Sequence, residues 1–164
     1  MSDWAAGYSR EELGRAQEEF DLVFPPDLVD LLRDRRPAKG YDWRTDQKQI
    51  REMLDWPLEG LLFDIEQNNF WMGAWGVIPE REAERREIAT AAVRAAPKLI
   101  PLMSHRFLPA DPCEAGNPVF SIYQTDIIYY GANLDHYFAN EFGAWTWLDD
   151  AAYRYIRFWS DIAA

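Results

Sequence analysis

The sequence predicts an α+β fold, a mainly antiparallel sheet flanked by helices. Helical periodicity dominates as far as Pro97, and short runs rich in Ile, Val, Phe and Tyr follow from Leu99 to Tyr130. Helical periodicity returns after Gly131. Aliphatic and aromatic residues make up 48% of the 164 residues and charged residues 27%, a globular composition. A chain of this length buries about 70% of its unfolded surface. No repeat, low-complexity tract or composition break divides it, so one domain over residues 1–164 is expected.

Ser9-Arg10-Glu11-Glu12 has the form of a capping box, and Leu13, Ala16 and Phe20 recur at helical spacing, predicting a helix over about residues 10–20. Pro25-Pro26-Asp27 starts a second helix, with Leu28, Leu31 and Leu32 on one face, that must stop before Pro37. Gly40-Tyr41-Asp42-Trp43 reads as a turn with exposed aromatics. Thr45 is placed to cap a third helix over 46–55, ended by Pro57. Leu58, Leu61, Leu62 and Ile65 then give a short fourth helix before Asn68-Asn69. Phe70-Trp71-Met72 reads as a brief strand, residues 73–79 as a loop, and the charged, alanine-rich stretch 80–96 as a helix ended by Pro97.

Strands are predicted at 99–103, 106–108, 118–123 and 126–130. Gln124-Thr125 is the expected hairpin connection, although neither residue favours positive φ. Leu134, Tyr137, Phe138 and Phe142 share a helical face, as do Tyr153, Ile156 and Trp159, predicting two C-terminal helices.

The formal charge is −11, which disfavours unassisted binding to nucleic acid or to an anionic membrane and favours a basic partner, or merely solubility. From Phe107 to Tyr153 there is no Lys or Arg, yet the stretch carries seven carboxylates: Asp111, Glu114, Asp126, Asp135, Glu141, Asp149 and Asp150. The single cysteine, Cys113, excludes an internal disulfide and a cysteine-based zinc site. Residues 1–10 have neither a cationic start nor an apolar core, so no signal peptide is expected. No apolar run is long enough to span a bilayer, and a soluble, cytoplasmic protein is the default expectation.

Several short motifs stand in order along the chain. They are Phe24-Pro25-Pro26-Asp27-Leu28, Glu59-Gly60-Leu61-Leu62-Phe63-Asp64, Phe70-Trp71 with Trp75-Gly76, and His105-Arg106-Phe107-Leu108-Pro109 after Pro97 to Pro101. Gly116-Asn117-Pro118-Val119-Phe120-Ser121 and Asp126-Ile127-Ile128-Tyr129-Tyr130-Gly131 complete the set. Over about residues 20–142 this arrangement resembles the SUKH superfamily, in the group related to the fungal cell-wall-assembly regulator. The resemblance implies an α+β domain without catalytic activity. Bacterial members are regarded as immunity proteins that neutralise polymorphic toxins, many of them nucleases or deaminases, and fungal members act as regulators through protein contacts. No catalytic residue and no cofactor is carried over.

The expected partner contacts are therefore Asp111, Glu114, Asp126, Asp135 and Glu141, with Trp71 and Trp75 as aromatic anchors. The opposing reading makes these carboxylates helix caps or solvated charges: Asp149 or Asp150 at a final helix, Asp135 in the first turn of its own. The tryptophans would then close a core. A different class of function, a hydrolase, would use His105 as base near Asp126 and Cys113 as nucleophile, but no catalytic context surrounds them. Arg106 is expected to pair with an acidic strand neighbour. Metal binding by His105, Cys113 and His136 fits no common ligand spacing, and phosphate-loop and nucleophile-elbow motifs are absent.

Overall fold

A computed structural model describes residues 2–163. The chain opens with a three-residue strand, β1 (Trp4–Ala6), and turns into α1 (Arg10–Phe20). Both halves of the capping box form there: Glu12 N–H donates to Ser9 Oγ at 3.1 Å, and Ser9 N–H donates to Glu12 Oε1 at 2.8 Å. Helix α2 (Pro26–Asp34) places Pro26 in its first turn, where a missing N–H costs nothing, and runs straight into β2 (Arg35–Pro37). β1 and β2 pair as an antiparallel ribbon that the sequence did not announce. Three-residue strands carry no alternation to read. The ribbon is pinned by Trp4, whose ring lies under the Arg35 guanidinium at 3.9 Å.

The turn before the third helix does not expose its aromatics as expected. Trp43 is buried, edge-on to Phe20 and Phe24, and its backbone N–H donates to the Tyr8 hydroxyl at 3.1 Å. The larger correction follows at once. Instead of two helices broken at Pro57, a single helix α3 (Gln47–Gln67) of 21 residues passes through the proline. Asp46, not Thr45, is its N-cap, without a side-chain cap bond. Proline removes the N–H that would reach the Met53 carbonyl, but the apolar stripe Ile50, Leu54, Pro57, Leu61, Ile65 stays in phase across it. Burial of that continuous face outweighs one missing hydrogen bond.

Residues 70–72, expected as a strand, run irregularly into a 3-10 turn over Gly73–Trp75. Helix α4 (Glu82–Ala95) then packs against α3, tied by a bidentate Arg85–Glu66 pair at 3.0 Å. The sheet that follows matches expectation closely: β3 (Leu99–Met103), β4 (Arg106–Pro109), β5 (Val119–Tyr123) and β6 (Asp126–Gly131) form an antiparallel meander in that order. Helix α5 (Leu134–Phe142) is capped by Asn133, whose side chain accepts from His136 N–H. The final helix predicted around Tyr153, Ile156 and Trp159 is reduced to α6 (Trp159–Ile162), because Phe158 takes φ 71° and interrupts it. Ile156 and Trp159 are nevertheless buried.

Successive strand residues point to opposite faces, and both faces are covered. Ile100, Leu108 and Val119 join a core with α1, α2 and α5. Leu99, Phe107, Phe120, Ile122 and Ile127 join another with Met53, Trp56, Ile156 and Trp159. The four strands accordingly read as nearly unbroken apolar runs. A third cluster, around Leu62, Ile65 and Ala89, closes the contact between α3 and α4. α3 contributes to all three.

α3 also braces the turn between β5 and β6. Asp64 Oδ2 accepts from Thr125 N–H at 2.8 Å and from Thr125 Oγ1 at 2.5 Å, while Oδ1 accepts from Asn68 Nδ2 at 2.7 Å. Burial alone would push this carboxyl up, but the hydrogen bonds from Thr125 and Asn68 outweigh it and hold the pKa below the ordinary carboxylate value. Gln124 adopts φ 57°, the left-handed conformation the sequence disfavours. It does so directly over Gly60, where an added Cβ would lie 2.8 Å from the Gln124 Cα.

Two outcomes are expected from these contacts. Asp64→Ala should lower stability by about 2–3 kcal/mol in denaturant titrations, because it removes a charged acceptor and leaves a part-buried N–H unpaired. Since the folded pKa is depressed, this contribution is fully present above the unfolded value of about 3.9 and is lost as pH falls through the lower folded value. The gap between wild type and Asp64→Ala should therefore narrow below about pH 4. Glycine-to-alanine changes should differ in sign between two helices. Gly14→Ala in α1 meets nothing within 4 Å and should stabilise by about 0.5–1 kcal/mol, whereas Gly60→Ala should destabilise by about 1–3 kcal/mol through the clash with Gln124.

Candidate functional site

The base-free run is bracketed by arginines, and the fold brings those arginines back onto it. Arg106, at the start of β4, donates through Nε to Glu141 Oε2 of α5 at 3.1 Å. Its partner is a helix residue, not the strand neighbour expected. Arg106 also donates through Nη1 to Ser121 Oγ at 3.1 Å and lies 4.0 Å over the Tyr130 ring. Both members of the pair are largely buried, so this is an internal tie. Glu141 is thereby withdrawn from the surface charge.

At the other end, Arg154 donates to the buried Asn117 side chain at 2.7 Å and to the Ala115 carbonyl at 3.0 Å, with Glu114 3.8 Å away. Arg157 donates to the Ala95 carbonyl at 2.6 Å and lies 3.4 Å from Asp111. Asp111 and Glu114 are exposed but have a cation beside them. Asp126, Asp135, Asp149 and Asp150 are exposed and form no ion pair among the described residues. Asp126 opens β6, Asp135 sits in the first turn of α5, and Asp149 and Asp150 enter a 3-10 turn without a side-chain cap bond.

Trp71 and Trp75 meet edge to face at 4.9 Å between ring centroids and lie half-buried over the α3–α4 cluster, with Trp71 Nε1 donating to the Gly76 carbonyl at 2.9 Å. Trp75 also faces Phe158. Both indoles thus close a core and keep one side toward solvent. The more accessible indole is one the sequence reading did not single out. Of the eight tryptophans, all among the described residues, Trp147 alone is exposed, at 70%. It is followed by Leu148, 44% exposed, and then by Asp149 and Asp150. The available signal was the dipeptide Trp147-Leu148 in a segment lacking helical or strand periodicity, hence without a core face to fill.

The segment is shaped by aromatic packing behind it. Trp145 meets the Tyr130 ring edge-on at 4.5 Å and supports Trp147 at 5.0 Å. Tyr153 stacks on Tyr129 at 4.7 Å, and the chain re-enters the core at Ile156. Trp147 and Leu148 therefore occupy the outer part of a bridge between two anchored ends.

His105 does not form a catalytic group with Cys113. Its Nε2 is 2.8 Å from Arg106 Nη1 and its Nδ1 3.2 Å from Ser104 Oγ. Burial, then the Arg106 charge, lower its pKa, and Glu141 and Asp126 only partly oppose them. The Cys113 thiol instead contacts the Phe24 carbonyl at 3.8 Å. A cleft of about 320 Å³ lies among α1, α3, α4 and β3, walled by Phe20, Leu54, Leu58, Val93 and Trp159, with the Asp21–Lys98 pair at its edge. It gathers no nucleophile–base pair. Among the described residues, no group of three or more His, Cys, Asp or Glu side chains is placed to hold a metal, and no helix is long and apolar enough to cross a membrane.

No protein-family model, curated protein or solved structure matches the chain.

Proposed function

We propose that the protein is a non-enzymatic binding module that docks onto a basic surface of another protein, and that it serves as a cytoplasmic immunity protein against a toxin of the nuclease or deaminase class. One observation carries the binding reading: Trp147 and Leu148 stand exposed beside Asp149 and Asp150, carboxylates with no counterion among the described residues. An indole supplies large, rigid contact area and is enriched where binding energy concentrates. Unpaired carboxylates around it steer association with a cationic face, such as the phosphate-binding surface of a nuclease. Asp126 and Asp135 extend the same sign of charge. The immunity role rests on the motif resemblance. A regulator or adaptor with the same surface is the alternative, and the genes beside this one separate the two. An immunity gene adjoins a toxin gene.

With the toxin domain encoded next to it, the protein should restore growth to cells expressing that domain and bind it directly. Trp147→Ala should weaken binding by about 30-fold, the cost of losing a hot-spot side chain of about 2 kcal/mol. Asp149→Asn with Asp150→Asn should weaken it further and flatten its salt dependence, since exposed charges are screened over about 8 Å at physiological ionic strength. Wild-type affinity in both variants, or affinity indifferent to salt, would remove this contact. His105→Ala should still protect. Protection lost with that variant while binding persists would instead favour hydrolytic chemistry.

A further inference from the structure

An imidazole is one of the groups that hold the exposed segment to the domain, beside the Asn140 amide and the Trp145–Tyr130 contact. His136 and Asn140 lie four residues apart on α5, facing the same residue, Thr146. Asn140 Oδ1 accepts from Thr146 N–H at 2.9 Å, and its Nδ2 donates to the Tyr130 carbonyl at 3.0 Å, which fixes the orientation of the amide. His136 Nδ1 lies 2.9 Å from the Ala132 backbone nitrogen. That nitrogen can only donate, so Nδ1 must accept and carries no proton. The ring proton is then on Nε2, which donates to the Thr146 carbonyl at 3.0 Å and lies 3.1 Å from Thr146 Oγ1. Thr146 is thus clasped at its N–H and its C=O from one turn of helix, and Trp147 follows directly.

This arrangement accepts only the neutral ring. A second proton would enter Nδ1 and face the Ala132 N–H, placing two donors 2.9 Å apart with no acceptor between them. The ring must then turn or withdraw, and the Thr146 carbonyl loses its partner. The groups around the imidazole are the Thr146 and Asn140 side chains, with Asn140 Nδ2 3.3 Å from Nε2, and the Tyr153 ring at 6.5 Å from the C-terminal segment. Asp135 is its neighbour on α5. Among the described residues no Asp, Glu, Lys or Arg side chain hydrogen-bonds to the ring.

We propose that His136 is a proton-operated clasp for residues 143–152: neutral, it completes the hold that Asn140 and the Trp145–Tyr130 contact begin, and protonated, it loosens the segment. That this regulates partner binding rests on the contact proposed above; the clasp itself does not. Its test needs only the isolated, uniformly 15N-labelled protein, followed by NMR from pH 8 to pH 5, the range in which imidazoles change charge. At pH 8 the His136 ring nitrogens should show the proton on Nε2, and backbone order parameters over 143–152 should be near the rigid value of about 0.85. Toward pH 5 those order parameters should fall below about 0.6 while β3–β6 stay rigid. His136→Gln should give a segment whose mobility does not follow pH. A proton on Nδ1 at pH 8, a segment equally ordered at pH 5, or the same acid response in His136→Gln would overturn the clasp. If that variant does not fold, the tautomer and the wild-type titration decide alone. Because no partner is present, failure here leaves the binding reading intact, and lost binding in Trp147→Ala leaves the clasp intact.

Discussion

The unbroken passage of α3 through Pro57 is the constraint on which the rest of the molecule depends. At 1.5 Å per residue, 21 residues span about 30 Å, enough to cross a domain of this size. Ile50 serves the core beneath α1 and α2, Met53 and Trp56 the opposite face of the sheet, and Leu62 and Ile65 the contact with α4. Trp56 also donates its indole N–H to the Ile122 carbonyl at 2.7 Å, joining the helix to the middle of the sheet. A break at Pro57 would uncouple the contact with α4, made by Leu58, Leu62 and Ile65, from the two cores on the faces of the sheet, which Ile50, Met53, Leu54 and Trp56 serve.

Much of the sheet was legible because its signals are local. Turn residues separate β-branched and aromatic runs at 99–130, and strand boundaries fell within a residue or two. The capping box at Ser9 was legible for the same reason. Pro57 was misread because proline is a local rule, whereas the stripe that overrides it extends over four turns. β1 and β2 were missed since Trp4-Ala5-Ala6 and Arg35-Arg36-Pro37 are too short to show a period, and their pairing depends on packing against α5.

The charge pattern was legible in sign and not in distribution. Glu141 finds its arginine 35 residues away and Asp111 finds its own 46 away, distances at which sequence carries no pairing information. Three of the seven carboxylates are offset in this way: Glu141 internally, Asp111 and Glu114 at the surface. Trp147 was passed over for a related reason. Composition counts aromatics without saying which are covered, and Trp71 and Trp75 attracted attention by their spacing, which is the spacing of two rings packing on each other.

The hold of α3 on the β5–β6 turn bears on how the structure comes apart. Gln124 sits in a conformation its own chemistry disfavours, and what keeps it there is the Asp64 bond to Thr125 and the flat backbone at Gly60, some sixty residues earlier. A meander of this kind would ordinarily fray from its last hairpin inward. Here the hairpin cannot open without giving up its bonds to the longest helix, and the helix cannot leave without exposing all three clusters. Heat or denaturant should therefore meet a single cooperative transition, in which sheet and helices melt together and no partly folded remnant persists.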